Sequence, residues 1–130
     1  GNIGLGAAAD YLQEIGIDNV IMQEMNLCHF LYGALSGRSQ VELVGDPALR
    51  AGCISFNLKG AHCYDVAKLL DQLGIAVRSG HHCAQPLLTA FGLTGAVRVS
   101  PAFYNTMGEA AAFLEAIDRI TKILGRKVRR

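Results

Sequence analysis

One stretch of this sequence concentrates groups able to do chemistry: Arg78-Ser79-Gly80-His81-His82-Cys83-Ala84-Gln85-Pro86-Leu87. A guanidinium, two imidazoles and a thiol fall close together, and Gly80 is free to take positive φ and turn the backbone sharply. An ordinary cysteine is only ~3% thiolate at neutral pH, so a nucleophilic Cys83 needs positive charge nearby, which Arg78 and a protonated histidine can supply. A thiol on a glycine-hinged loop suits a nucleophile that travels to a substrate held elsewhere. The same residues also suit a buried loop thiol whose neighbouring histidines bond the backbone, and the pattern alone leaves both readings open. The second candidate is Arg98, between Val97 and Val99. Its planar fork matches a carboxylate, supplied either by a ligand or by an acidic residue of the same fold.

Three His/Cys neighbours raise the question of a metal: Cys28-His29, His62-Cys63 and His82-Cys83. Adjacent residues seldom reach one ion, and tetrahedral sites use wider spacings that this sequence lacks. Cys28 falls on an apolar helical stripe, and His62 opens a helix with Cys63 in its first turn. No metal site is expected.

The elements that must position these groups alternate along the chain. Leu5, Ala8, Ala9, Leu12 and Ile15 have helical spacing and stop at Gly16. Asp18 is placed to cap a second helix with the stripe Ile21, Glu24/Met25, Cys28, Leu31, Tyr32 and Leu35, ending at Ser36-Gly37. Val41 to Val44 reads as a strand, Gly45-Asp46-Pro47 as a turn, and Cys53 to Leu58 as a strand burying Ile54, Phe56 and Leu58. Val66, Leu69, Leu70 and Leu73 mark a helix with Asp65 in its first turn, closed by Gly74. Ile75 to Val77 is the predicted third strand, leading directly into the Arg78 segment. A short helical turn runs from Pro86 to Phe91, and Ala96 to Ser100 is the fourth strand. Thr106 and Glu109 form a capping box for a last helix with the stripe Ala110, Phe113, Leu114, Ile117, Ile120 and Leu124, ending at Gly125. The composite is α+β, or two-layer α/β: a small mixed sheet with helices packed on it. Residues 1–36 form a helical pair ahead of a domain at 37–130.

Composition narrows the function classes. The chain has 130 residues, 51% hydrophobic and 18% charged, which excludes a disordered protein. Twelve basic against 11 acidic residues give a net charge of +1, no general case for nucleic acid or acidic lipid. Arg126, Lys127, Arg129 and Arg130 read as a solvated tail. No apolar run approaches a membrane span and no signal peptide is seen, so a cytoplasmic protein is expected. The four cysteines include no CxxC pair and read as free thiols, three of them small buried hydrophobes. A mean hydropathy of +0.27 is high for so small a chain and implies apolar surface that packs against something further.

The segment from Arg78 to Leu87 resembles the RxGHHCxxPL signature of group II (SufS/CsdA-type) cysteine desulfurases and selenocysteine lyases. These are pyridoxal-phosphate enzymes of the class V aminotransferase family, fold type I. Residues 6–16, 52–58 and 65–77, Arg98 with Ser100, and Tyr104-Asn105-Thr106 are similar too. The resemblance implies that Cys83 takes sulfur from a cysteine–cofactor adduct, leaving alanine and an enzyme persulfide. It implies that Arg98 holds the substrate's α-carboxylate, with Arg78, His81 and His82 supporting the loop. Val99 departs from the pattern, which expects a smaller residue there. In the family the cofactor is carried on a lysine that follows a histidine. Lys59, Lys68, Lys122 and Lys127 do not follow histidines, and no phosphate cradle is visible. The resemblance therefore implies a C-terminal small domain with its connecting helices, inactive alone, with the cofactor bound by a large domain. Implied partners are L-cysteine or L-selenocysteine, a sulfur-acceptor protein for Fe–S assembly or other transfer, and a second copy in a homodimer. Competing readings are a kynureninase-like or epimerase-like class V lyase, which needs no attacking thiol, and a stand-alone persulfide carrier.

Overall fold

The computed structural model describes residues 1–45 and 52–127, with side chains through Leu124. The elements are α1 (Asn2–Ile15), α2 (Ile17–Ser36), β1 (Val41–Val44), β2 (Ile54–Leu58), α3 (Cys63–Asp71), β3 (Arg78–Gly80), α4 (Gln85–Ala90), β4 (Ala96–Val99) and α5 (Met107–Lys127). The strands form one sheet in the order β1-β2-β4-β3. All three pairings are antiparallel, so the expected mixed sheet is corrected. The reason is topological. β2 and β3 run parallel to each other across α3, but β4 inserts between them and no parallel neighbours remain.

Alternation along β2 decides which face is covered. Ile54, Phe56 and Leu58 are buried, together with Val97 and Val99 of β4, while Cys53, Ser55 and Asn57 stand half-buried on the opposite face. Helices α2, α3 and α5 seal the apolar face through Leu27, Leu31, Leu35, Val66, Leu70, Phe113, Ile117 and Ile120. Phe56 meets Phe113 edge-on with ring centroids 6.1 Å apart, locking β2 to α5. Such side chains contribute about 1.5–3 kcal/mol each by burial, which makes this layer the source of the fold's stability.

Helix ends follow local chemistry. The Thr106–Glu109 box is formed: the Thr106 amide donates to Glu109 at 2.7 Å and the Glu109 amide to Thr106 Oγ1 at 3.2 Å. Hydrogen bonds donated by the Thr106 amide, the Asn105 side chain and the Thr106 hydroxyl, the amide first, hold the Glu109 carboxyl below its ordinary range. His62 caps α3, its Nδ1 accepting from the Tyr64 amide at 3.4 Å. Arg38 grips both oxygens of Asp118 at 2.7 and 2.9 Å, tying the end of α2 to α5 and lowering the Asp118 carboxyl.

Four element readings are corrected. Asp18 lies in the first turn of α2, not at its cap; Gly16, with φ 88°, occupies the cap and leaves the helix without a side-chain cap. The buried stripe of α2 runs through Val20, Leu27, Cys28, Leu31 and Leu35, with Ile21 and Met25 exposed; α2 packs against α1, α5 and β1. α5 continues through Gly125 to Lys127. The third strand lies three residues later than predicted. In the same register residues 75–76 would face Ser100 and Pro101, beyond the end of β4 at Val99, and the observed pairing begins at Arg78 opposite Arg98. The predicted turn at Asp46-Pro47 and the side chains of the basic tail lie outside the described residues.

Candidate active site

The face of the sheet opposite the core carries the groups of interest. Register places Ser55, Arg98 and Arg78 in one row across β2, β4 and β3. Directly paired residues leave the sheet on the same side, with Cβ atoms about 5 Å apart. Two guanidinium side chains are thus neighbours, an arrangement that repels unless an anion is shared between them. Arg98 is half-buried, and its Nε is buried with no hydrogen-bond partner. No acidic residue meets it among the described residues, where the ion pair within 4.0 Å is Arg38–Asp118. Of the two partners the sequence left open for Arg98, an acidic residue of the same fold is not met among the described residues.

The nucleophile candidate leaves the sheet from the adjoining strand. β3 ends at Gly80, whose φ of 117° requires glycine, and a Cβ there would stand 3.0 Å from the Tyr64 hydroxyl. The chain then makes a tight turn in which the Ala84 amide donates to the His81 carbonyl at 2.8 Å. Cys83 is exposed at this turn, as is His81, while His82 is half-buried with Nε2 2.9 Å from the Ala96 carbonyl oxygen. The buried-loop-thiol reading does not hold for Cys83. Arg78 sits within β3, one strand from Arg98, and not on the loop where the shifted third strand had put it.

A floor of small residues lets the turn approach the sheet. A Cβ on Gly95 would fall 2.8 Å from Cys63 Sγ and 3.5 Å from Gly80 Cα, so Gly80 and Gly95 pack directly over the first turn of α3. Asn57 on β2 donates to the Gly95 carbonyl at 2.9 Å and leaves its own Oδ1 buried without a partner. Sequence reasoning missed this floor and the left-handed conformations of His82 and Cys83, with φ of 53° and 58°. The alternating polar residues of β2, Ser55 and Asn57, were the available signal. The hinge was placed at Gly80 alone.

The other cysteines are thiols as expected, but Cys53 is half-buried on the site face, not in the core with Cys28 and Cys63. The three His/Cys pairs stand on separate elements. The lysines whose side chains are described, Lys59, Lys68 and Lys122, are exposed at the end of β2 and on α3 and α5, the last two on the covered side of the sheet. The site face carries two arginines, and the described residues offer no lysine there to carry a cofactor. Among the described residues no helix is long and apolar enough to cross a membrane.

Comparison with known proteins accords with this geometry. Residues 1–113 match the family Aminotransferase class-V. The chain is 43% identical over 125 residues to the cysteine desulfurase of Serratia proteamaculans and 42% identical to that of Escherichia coli O127:H6, covering 96% of this chain and 30% of each relative. The chain therefore spans about a third of the length of these curated relatives. The apo structure of the cysteine desulfurase from Thermococcus onnurineus superimposes with a TM-score of 0.88 at 38% identity, over 92% of this chain and 30% of that one. The Escherichia coli cysteine desulfurase CsdA, in its S-sulfonic acid form, gives 0.86 at 34% identity, over 93% and 30%. The small antiparallel sheet backed by helices is the architecture found in these cysteine desulfurases, and this chain belongs to the aminotransferase class-V family.

Proposed function

We propose that this chain is the C-terminal small domain, with its connecting helices, of a pyridoxal-phosphate-dependent cysteine desulfurase. Cys83 takes sulfur from L-cysteine as a persulfide, and L-alanine is the other product. The observation that carries the reading is the unpartnered guanidinium of Arg98 on the open face, one strand from the turn that exposes Cys83. Arg98 binds the substrate α-carboxylate through its fork, and Arg78 beside it adds positive charge at the same face. His81 and His82 support the turn. The cofactor, held by the remainder of the polypeptide, supplies an electron sink beside the substrate's α-carbon. As the Cys83 thiolate bonds to the substrate sulfur, that sulfur's bond to carbon breaks, its electron pair stays with carbon, and that carbon takes up a proton to become the methyl group of L-alanine. The persulfide is passed to an acceptor protein for Fe–S cluster assembly or other sulfur transfer. L-selenocysteine, with a more easily cleaved carbon–chalcogen bond, is the alternative substrate. The assembled enzyme is a cytoplasmic homodimer.

Exposure along α1 fits a connecting helix, whereas α2 packs into the core through Leu27, Leu31 and Leu35. α1 has no buried residue, and Ile3 and Leu5 are 91% and 73% exposed. So apolar a surface fits a helix whose other side meets more protein.

The test is alanine and sulfide release from L-cysteine by the complete polypeptide. Cys83→Ala should abolish persulfide formation. Arg98→Met should raise KM for cysteine at least tenfold, the loss of a charge-assisted bidentate contact. Sulfur release undiminished in Cys83→Ala would overturn the reading.

A further inference from the structure

The turn that carries Cys83 is held in a strained backbone conformation. His82 and Cys83 both have positive φ, a region that residues with a Cβ occupy in succession only where their surroundings impose it. Two of the restraints are backbone features: Gly80 at the end of β3, and the Ala84-to-His81 hydrogen bond that closes the turn. The third is a side chain. His82 Nε2 meets the carbonyl of Ala96, the residue paired with Gly80 at the end of the β3–β4 ladder. Neither His81 nor Ser79 has a comparable tie among the described residues.

We propose that His82 is the positioning residue of this turn. Its Nε2–H donates to the Ala96 carbonyl and ties the turn to the last pair of the β3–β4 ladder. That anchor keeps Cys83 left-handed and its thiol on the outer side of the turn. A carbonyl oxygen only accepts, so the neutral ring must carry its proton on Nε2. The functional meaning of the anchor rests on Cys83 being the sulfur-accepting thiol; the anchor itself is tested without that premise. His82 acts through Cys83 and needs no contact with substrate, so its contribution is pre-organisation of the nucleophile.

Heteronuclear NMR on isotope-labelled protein tests the proposal. Long-range imidazole correlations above the histidine titration range should show the Nε2–H tautomer for His82. Cys83 should give the strong intraresidue HN–Hα NOE of positive φ. His82→Leu should weaken that NOE and speed exchange of the Ala84 amide by about five- to tenfold, the weight of one hydrogen bond. His82→Gln places an amide nitrogen the same number of bonds from Cα and should restore both. The Nδ1–H tautomer in the unsubstituted protein, or unchanged NOE and exchange in His82→Leu, would sink the proposal. If circular dichroism shows His82→Leu unfolded, the tautomer and the His82→Gln spectrum decide the question. Should the NMR results hold while Cys83→Ala still releases sulfur, the desulfurase reading falls and the anchor stands.

Discussion

The two faces of one sheet follow opposite rules. On the covered face, Ile54, Phe56, Leu58, Val97 and Val99 are sealed under three helices with no polar side chain buried among them. On the other, β2 and β4 present Ser55, Asn57 and Arg98, and two polar atoms, Asn57 Oδ1 and Arg98 Nε, are buried without partners. The first face satisfies every requirement of stability. The second violates two of them, side-by-side guanidiniums and orphaned polar atoms, and it adjoins a turn with two left-handed residues. Local rules are broken where a ligand is expected to complete the structure, and the covered face supplies the stability that makes this tolerable.

The sharpest break in this comparison comes from the covered side. Phe56→Ala should cost about 3–5 kcal/mol in denaturant unfolding by cavity formation, with loss of the edge-on contact to Phe113. A loss under 1 kcal/mol would mean this layer is not the core. Gly95→Ala, at the floor between the faces, should cost about 1–3 kcal/mol because the new methyl meets Cys63 Sγ at 2.8 Å. Adding Cys63→Ala should recover part of that loss, and strict additivity of the pair would refute the close approach.

On the open side the sign should reverse. Arg98→Met removes a polar atom that folding buries unsatisfied, so unfolding should show stability unchanged or raised by up to about 1 kcal/mol, even as substrate affinity falls. A destabilisation beyond 1 kcal/mol would reveal a structural role for the guanidinium and weaken the functional argument.

The smallest effect belongs to the rim. Asp118, held low by Arg38, and Glu109, held low by its cap, each bind a proton less readily folded than unfolded. Their stabilisation is therefore present above the ordinary carboxylate range and is lost as pH falls through their lowered folded-state values. Asp118 is 48% exposed, so Asp118→Asn should cost only about 0.2–1 kcal/mol at neutral pH and flatten the acid limb of the stability profile. Identical profiles for the two proteins would show that the ion pair contributes nothing.

Much of this was legible in the residues themselves. Alternation from Cys53 to Leu58 identified the buried face, the stripe from Ala110 to Ile120 identified the last helix, and the Thr106–Glu109 spacing identified its cap. These are short-range patterns, set by the geometry of one helix or strand. The RxGHHC segment and Arg98 were likewise singled out by residue type and spacing. What the chain order could not reveal were relations between segments distant in sequence. The stripe of α2 rotated because α1 and α5 determine which of its sides is covered. The third strand slid to Arg78 because its ladder partners lie in β4, which ends at Val99. Whether Arg98 met an acidic residue, whether Cys83 lay inside or outside, and that His82 anchors the turn to Ala96 depended on which strand lay beside which. A linear sequence specifies local conformation through nearest neighbours; only the closed sheet settles what each side chain faces.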